Sequence, residues 1–298
     1  MLIVHLVPVG LSLLDHVELP DPPVAARDAL RHAAPGPRHE LDWDRLGPAG
    51  MPQLATTDPL MAAEWTSIRS SLTGPRYASV DGEAYVFLAT DTDQGLRAAT
   101  LLTQPYQRST VPYSTVRYLD EPLAAGRPML EPGDVSVCRI PDLDLGTLTP
   151  TSTTWRSLGV VGRMVADTAT QTARGEWHVI VHLSGGYKAM IPYLMVLAEA
   201  VHSRLRDAAP NAADRPSIRA VLTHESDPDR VIDVPVRAVE GDLLADVKKV
   251  ANAARPSGDG GYVVNAGVGE DLLGLFIEEE TERTRWLTEA ALIMVNAL

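Results

Sequence analysis

Residues 184–188 read Ser-Gly-Gly-Tyr-Lys, and these residue types in this order suit the binding of an anion. Two adjacent glycines let the backbone turn sharply and come close to a ligand. A helix opening just beyond them aims its first N–H groups outward with the positive end of its dipole, where an oxyanion fits. Ser184 adds a hydroxyl, and Lys188 adds a mobile charge with three donors. A tight strand-to-helix turn also favours Ser and Gly for purely structural reasons, so Lys188 and the flanking pattern carry the functional reading. Two further clusters stand after apolar runs: Val9, Gly10, Leu11 and Ser12 near the start, and Thr90, Asp91 and Thr92 later. Ser12, Thr90 and Thr92 offer hydroxyls to a ligand, although helix capping accounts for at least one of the threonines.

The elements that must position these clusters follow from periodicity. Residues 179–183 form a short apolar, β-branched run, the pattern of a strand buried on both faces of a parallel sheet. From about Ala189 the pattern turns helical: Met190, Tyr193, Leu194, Leu197 and Val201 make one apolar face, with Pro192 in the first turn. Further strands are predicted at 2–7, 85–89, 116–119, 135–140, 218–222 and 231–236, the last two separated by a turn at 225–229. Helices are predicted from Asp21 through Leu30, from Thr57 or Asp58 through Ser70, after Asp93, and over 155–173 behind a cap at 152–154. This alternation predicts an α/β fold over residues 1–238. The sheet is Rossmann-like and mainly parallel, has helices on both faces, and carries an antiparallel hairpin near its end. Residues 239–298 read as a small C-terminal α(+β) module: a helix at 242–254, a Gly-rich break, a helix over 271–280, a short strand pair, and a terminal helix capped by Thr288. That order suits a winged-helix module, a cap or a dimerisation element, and the acidic run 278–280 disfavours a wing against DNA.

Composition sets bounds. With 298 residues, 45% of them hydrophobic, the chain has ample length for a real core. A formal charge of −13 argues against a general nucleic-acid coat, while leaving room for a local basic pocket. The single cysteine, Cys138, excludes an internal disulfide framework and a Cys-rich zinc site, and reads as a small core residue. The histidines at 5, 16, 178, 182, 202 and 224 show no metal-ligand spacing with carboxylates and read as core or surface residues; neither metal nor cofactor is expected. No cleavable leader pattern and no long apolar run is present, so the expectation is a cytoplasmic protein with no membrane partner.

Three motifs in order, residues 8–14 (Pro-Val-Gly-Leu-Ser-Leu-Leu), 90–99 (Thr-Asp-Thr-Asp-Gln-Gly-Leu-Arg-Ala-Ala) and 183–189 (Leu-Ser-Gly-Gly-Tyr-Lys-Ala), together resemble the CARF domain, the CRISPR-associated Rossmann fold. The resemblance spans about residues 1–238, and its third motif is the most specific. It implies a homodimer that binds cyclic oligoadenylate, the second messenger of type III CRISPR antiviral signalling, in a pocket across the two-fold axis. Each Gly-rich turn and each Lys188 would then occur twice around a ring of phosphates. The resemblance implies ligand contacts from Val9, Gly10, Leu11, Ser12, Thr90, Asp91, Thr92, Ser184, Gly185, Gly186, Tyr187 and Lys188. Leu11, Ser184 and Tyr187 depart from the commonest pattern, which leaves the ring open between cyclic tetra- and hexa-adenylate. The last sixty residues lack the Arg-His pair of a HEPN ribonuclease.

Some proteins that this chain resembles cleave the ring without metal, by lining up a ribose 2′-OH with the adjacent phosphate. On that reading Lys188 and the Gly185 and Gly186 N–H groups stabilise developing charge and Ser12 orients, so Lys188 and Ser12 are the candidate catalytic residues. Two alternatives remain. One is a CARF-controlled winged-helix regulator that meets DNA only through residues 239–298. The other is a Rossmann-like nucleotide-binding enzyme unrelated to CRISPR, disfavoured because the first turn lacks Gly-x-Gly-x-x-Gly.

Overall fold

The computed structural model describes residues 2–17, 24–36, 38–46, 62–71, 82–107, 115–123, 130–143, 151–171, 177–186, 188–209, 211, 215–224, 227–239, 241–257, 262–264, 272, 277–281 and 284–297. Strands β1 (Leu2–Pro8), β2 (Glu83–Ala89), β3 (Val116–Leu119), β4 (Val135–Arg139), β5 (Trp177–His182), β6 (Ser217–His224) and β7 (Asp227–Val234) form one sheet in the order β3-β4-β2-β1-β5-β6-β7. All neighbours run parallel except β6 and β7, which pair as an antiparallel hairpin. This is the Rossmann-like, mainly parallel sheet expected from the alternating pattern. The hairpin turn is tighter than predicted, because Asp227 already pairs with His224.

Helices α1 (Ala26–Ala33), α2 (Trp43–Leu46), α3 (Ala63–Ser71) and α4 (Asp93–Gln107) precede β3, and α5 (Ser152–Gln171) and α6 (Ile191–Ala208) flank β5. Strand alternation divides β1 between two cores. Val4 and Leu6 join Leu158, Val161, Leu197 and Val201 of α5 and α6, whereas Val7 joins Leu30 of α1 and Leu101 of α4. Helix α3 adds Trp65 and Ile68 to that second face. Local chemistry fixes the helix starts. The Thr92 hydroxyl accepts the Gly95 N–H at 3.0 Å at the head of α4. The predicted cap of α5 moves one residue back to Thr151, whose hydroxyl accepts the Thr153 N–H at 3.2 Å.

The C-terminal segment departs further from expectation. Helix α7 (Gly241–Ala253) and α8 (Glu289–Ala297) bracket a small antiparallel sheet of β8 (Arg255–Pro256), β9 (Tyr262–Val263), β10 (Ile277–Thr281) and β11 (Thr284–Leu287), ordered β10-β11-β9-β8. The helix expected over 271–280 is overturned, because Ile277 to Glu279 pair in register with Leu287 to Arg285 of β11. β-Branched Ile277 and Thr281 bound an edge strand whose one neighbour is its hairpin partner β11. Thr288 caps α8 as predicted, accepting the Ala291 N–H at 3.2 Å. Helix α8 is sunk against α5 and α6, with Ala291, Leu292, Ile293, Met294 and Ala297 buried in the same cluster as the first face of the sheet. A Cβ on Gly159 of α5 would lie 2.5 Å from the Ile293 carbonyl oxygen, so the two helices approach with their backbones close. The described residues of α7, α8 and the small sheet therefore share one core with the sheet that precedes them.

Candidate functional site

In an open α/β sheet, ligands sit beyond the carboxyl ends of the strands where successive crossovers go to opposite faces. Here that point lies between β1 and β5. The chain leaving β1 enters a 3-10 helix, Ser12–His16, whose Leu13 packs with α1 and α4. The chain leaving β5 passes into α6 on the other face. The first and third predicted clusters thus meet at the crevice.

They meet closely. A Cβ on Gly10 would lie 2.9 Å from the Gly186 nitrogen, and one on Gly186 would lie 2.9 Å from Cβ of Pro8. Gly185 and Gly186 hold φ of +91° and +66°, a region that L side chains adopt only with strain. Ser12 and Lys188 are both exposed, each opening a 3-10 turn on one of these loops. Val9 is buried and Leu11 half-buried against the second core. Tyr187 lies outside the described residues.

One group that sequence reading did not single out sits between the two loops. Glu64, in the first turn of α3 and only 1% exposed, accepts the Gly10 N–H at 2.6 Å and the Gly186 N–H at 3.3 Å, both on Oε1. Burial raises its pKa above the ordinary glutamate range, against the lowering effect of the Gly10, Glu64 and Gly186 N–H groups. The amide of Gly186 that the motif reserves for an incoming anion is therefore already bound to an internal carboxyl group. No periodicity signal marks Glu64, because an amphipathic scan assigns a glutamate to the solvent face.

Four other predicted contributors have structural occupations. The Ser184 hydroxyl donates to the Thr223 carbonyl at 3.0 Å and accepts the Thr223 N–H, tying the turn to β6. The Thr90 and Thr92 hydroxyls bond each other at 2.9 Å beside Gly95, and Asp91 pairs with Arg139 at 2.6 Å. Thr90 does share a narrow apolar gap with Pro8, Val9, Met190 and Leu194, so the second cluster borders the crevice from beneath. Asp91 faces away, into a cavity of about 320 Å³ bordered by Arg27, Glu121, Arg139, Asp142 and Ser157. Beside it Asp120 receives Arg27, Arg31, Arg139 and the Tyr118 hydroxyl. Burial alone would raise the Asp120 pKa; hydrogen bonds from Arg27, Tyr118 and Arg31 and the charge of Arg139 hold it down at about 2.

Below the crevice runs a buried polar line. His5 Nδ1 meets His182 Nε2 at 3.0 Å, and His182 Nδ1 meets the Ser67 hydroxyl of α3 at 2.8 Å. Both imidazoles are fully buried; desolvation pushes His5 down to about 3 and drives His182 well below its usual value, helped by His5. Tyr85 stacks on His5 with ring centroids 4.8 Å apart. Alternation places His5 on the same face as Val7, and that much is legible in the sequence; the pairing with His182 across two strands distant in sequence is not. Cys138 is fully buried and its thiol is pushed up to about 12, as suits a small core residue.

Among the described residues, no group of three or more His, Cys, Asp or Glu side chains could hold a metal ion, and no helix is long and apolar enough to cross a membrane.

No family model matches the chain, and no curated protein is significantly similar to it.

Proposed function

We propose that the chain is a homodimeric sensor of cyclic oligoadenylate, binding the ring's phosphates at the crevice between β1 and β5. The observation that carries this reading is the approach of Gly10 to Gly186, which joins the two most telling motifs into one surface with Ser12 and Lys188 exposed at its mouth. Ser12 and Lys188 supply a hydroxyl and an ammonium, groups that suit the oxygens of a phosphodiester. The chain's charge of −13 makes a local site for a small anion more consistent than a broad nucleic-acid surface. Two-fold pairing doubles each group and matches the internal symmetry of the ring. Isothermal titration with cyclic tetra- and hexa-adenylate tests the reading. Wild type should release or absorb heat with one of them at micromolar protein, and Lys188→Ala should bind about 10- to 100-fold more weakly, the worth of one hydrogen bond to a charged group. No heat with either ring ends the proposal.

Ring cleavage is a second reading, favoured by the exposure of Lys188 and Ser12 on neighbouring loops. The ribose 2′-oxygen attacks the adjacent phosphorus, the P–O5′ bond breaks, and a 2′,3′-cyclic phosphate and a 5′-hydroxyl result. Lys188→Ala should then lose cleavage of a labelled ring in chelator by more than it loses binding. A ring left intact by wild type after hours leaves a sensor alone.

A further inference from the structure

Glu64 is an unusual resident for its position. Its carboxyl group is 1% exposed, lies between two glycine-bearing loops, and takes N–H hydrogen bonds from both. A Cβ on Gly185 would sit 3.1 Å from the Glu64 carboxyl carbon and one on Gly10 3.1 Å from Oε1, so both glycines crowd this one group. Helix α3, which delivers it, joins the second core through Trp65 and Ile68 and adds two polar ties, Glu64 to the loops and Ser67 to His182. A ligand oxyanion that takes over the two amides keeps them satisfied, which avoids the cost of leaving buried donors without a partner.

We propose that Glu64 is an internal stand-in for a ligand oxyanion: its carboxyl group holds the seat that a phosphate takes, and an anion gains the Gly10 and Gly186 amides only as Glu64 gives up its negative charge or its place. This rests on the reading of the crevice as a phosphate site and adds how that site is controlled. Two anions cannot share one pair of donors in a buried setting. Binding is therefore linked to proton uptake by Glu64, and affinity rises as pH falls toward its raised pKa. The ionisable groups on the elements packed around it are His5 on β1, His182 on β5, Lys188 beyond the turn, Arg219 on β6, Asp227, Arg230 and Asp233 on β7, and Arg69 on α3 itself. None of them is a cause of the Glu64 shift, which burial dominates. The two histidines stay neutral over the relevant range because their own pKa values are pressed down.

The test uses the full chain labelled with ¹⁵N and sulfate as probe, since sulfate keeps its charge across the range of about pH 5 to pH 8 over which the titrations are run. In Glu64→Ala, sulfate should shift the Gly10 and Gly186 amide resonances saturably and at least tenfold more tightly than in wild type near the upper end of that range. In wild type the same shifts should strengthen as pH falls, and in Glu64→Gln they should not depend on pH, which keeps the test sharp even if Glu64→Ala fails to fold. Equal response of wild type and variants, or no response of these amides in any of them, overturns the inference and makes Glu64 a structural strut. Cyclic tetra- and hexa-adenylate form a separate arm. If either ring binds wild type and Glu64→Gln with equal affinity and equal proton uptake, the stand-in idea falls while the sensor reading survives. If sulfate behaves as expected and no ring binds, the oxyanion seat stands and the choice of ligand falls.

Discussion

Gly186 shows how much a single backbone position carries. Its φ of +66° and the 2.9 Å approach of Pro8 leave no space and no relaxed conformation for a side chain. Gly186→Ala should cost about 1–3 kcal/mol, read as a drop of several degrees in Tm, and should weaken ligand binding as well. Gly36 has nothing within 4 Å of a Cβ, so Gly36→Ala is the matching control and should change Tm little. His5 and His182 give a pH signature at the same scale. Their folded pKa values lie below the ordinary 6.5, so their contribution to stability is complete above about that pH and is lost as pH falls through the window toward the depressed values. Urea unfolding should lose roughly 1 kcal/mol per pH unit for each histidine below pH 6.5. The double variant His5→Gln, His182→Gln should be less stable at neutral pH but nearly flat across that window.

Among the elements, α8 decides how the C-terminal segment is to be understood. Its capping threonine and apolar run were legible, and its place was not, because a terminal helix with Ala, Leu, Ile and Met could equally face a partner or its own chain. The apolar stretch lands against α5 and α6, where Gly159 lets it approach: a Cβ there would lie 2.6 Å from Cβ of Asn296, while one on Gly162 would meet Cδ1 of Leu197 on α6 at 2.5 Å. Gly159→Val should force these helices apart and cost about 2 kcal/mol or more, measured by thermal melting. Removing residues 289–298 should do more than trim a module, since it uncovers buried Leu158, Leu197 and Val201. The expected outcome is loss of the cooperative melt, and a truncated chain with an unchanged Tm would overturn the shared core. Helix α3 makes the opposite case. The helix and the inward place of Ile68 follow from spacing, whereas the packing of Trp65 does not, and the role of Glu64 depends on two loops that reach it from positions 54 and 122 residues away.

For the molecule as a whole, the ion-pair hub at Asp120 ties α1 to the ends of β3 and β4 through Arg27, Arg31 and Arg139. The Asp120 pKa of about 2 lies below the unfolded 3.8, so its stabilisation is present above about pH 4 and is lost as pH falls toward 2. Asp120→Asn should therefore lower stability at neutral pH by on the order of 1 kcal/mol, allowing for solvent screening of a partly exposed group, with the gap to wild type closing in acid. The amino-acid sequence by itself determined the alternation of strands and helices, the parallel sheet with its closing hairpin, and the Ser-Gly-Gly turn before α6. These are properties of short windows, where side-chain period, capping residues and glycine sterics act locally. Only the tertiary structure decided that the β1 and β5 turns meet at one crevice, that the 277–281 segment is a strand, that α8 belongs to the main core, and that Glu64 holds the Gly10 and Gly186 amides. The 277–281 strand is selected by its hairpin partner, Ile277 facing Leu287 and Thr281 facing Thr284; each of the others is a contact between residues far apart along the chain, and the free energy that selects it comes from burying groups together that no local window contains.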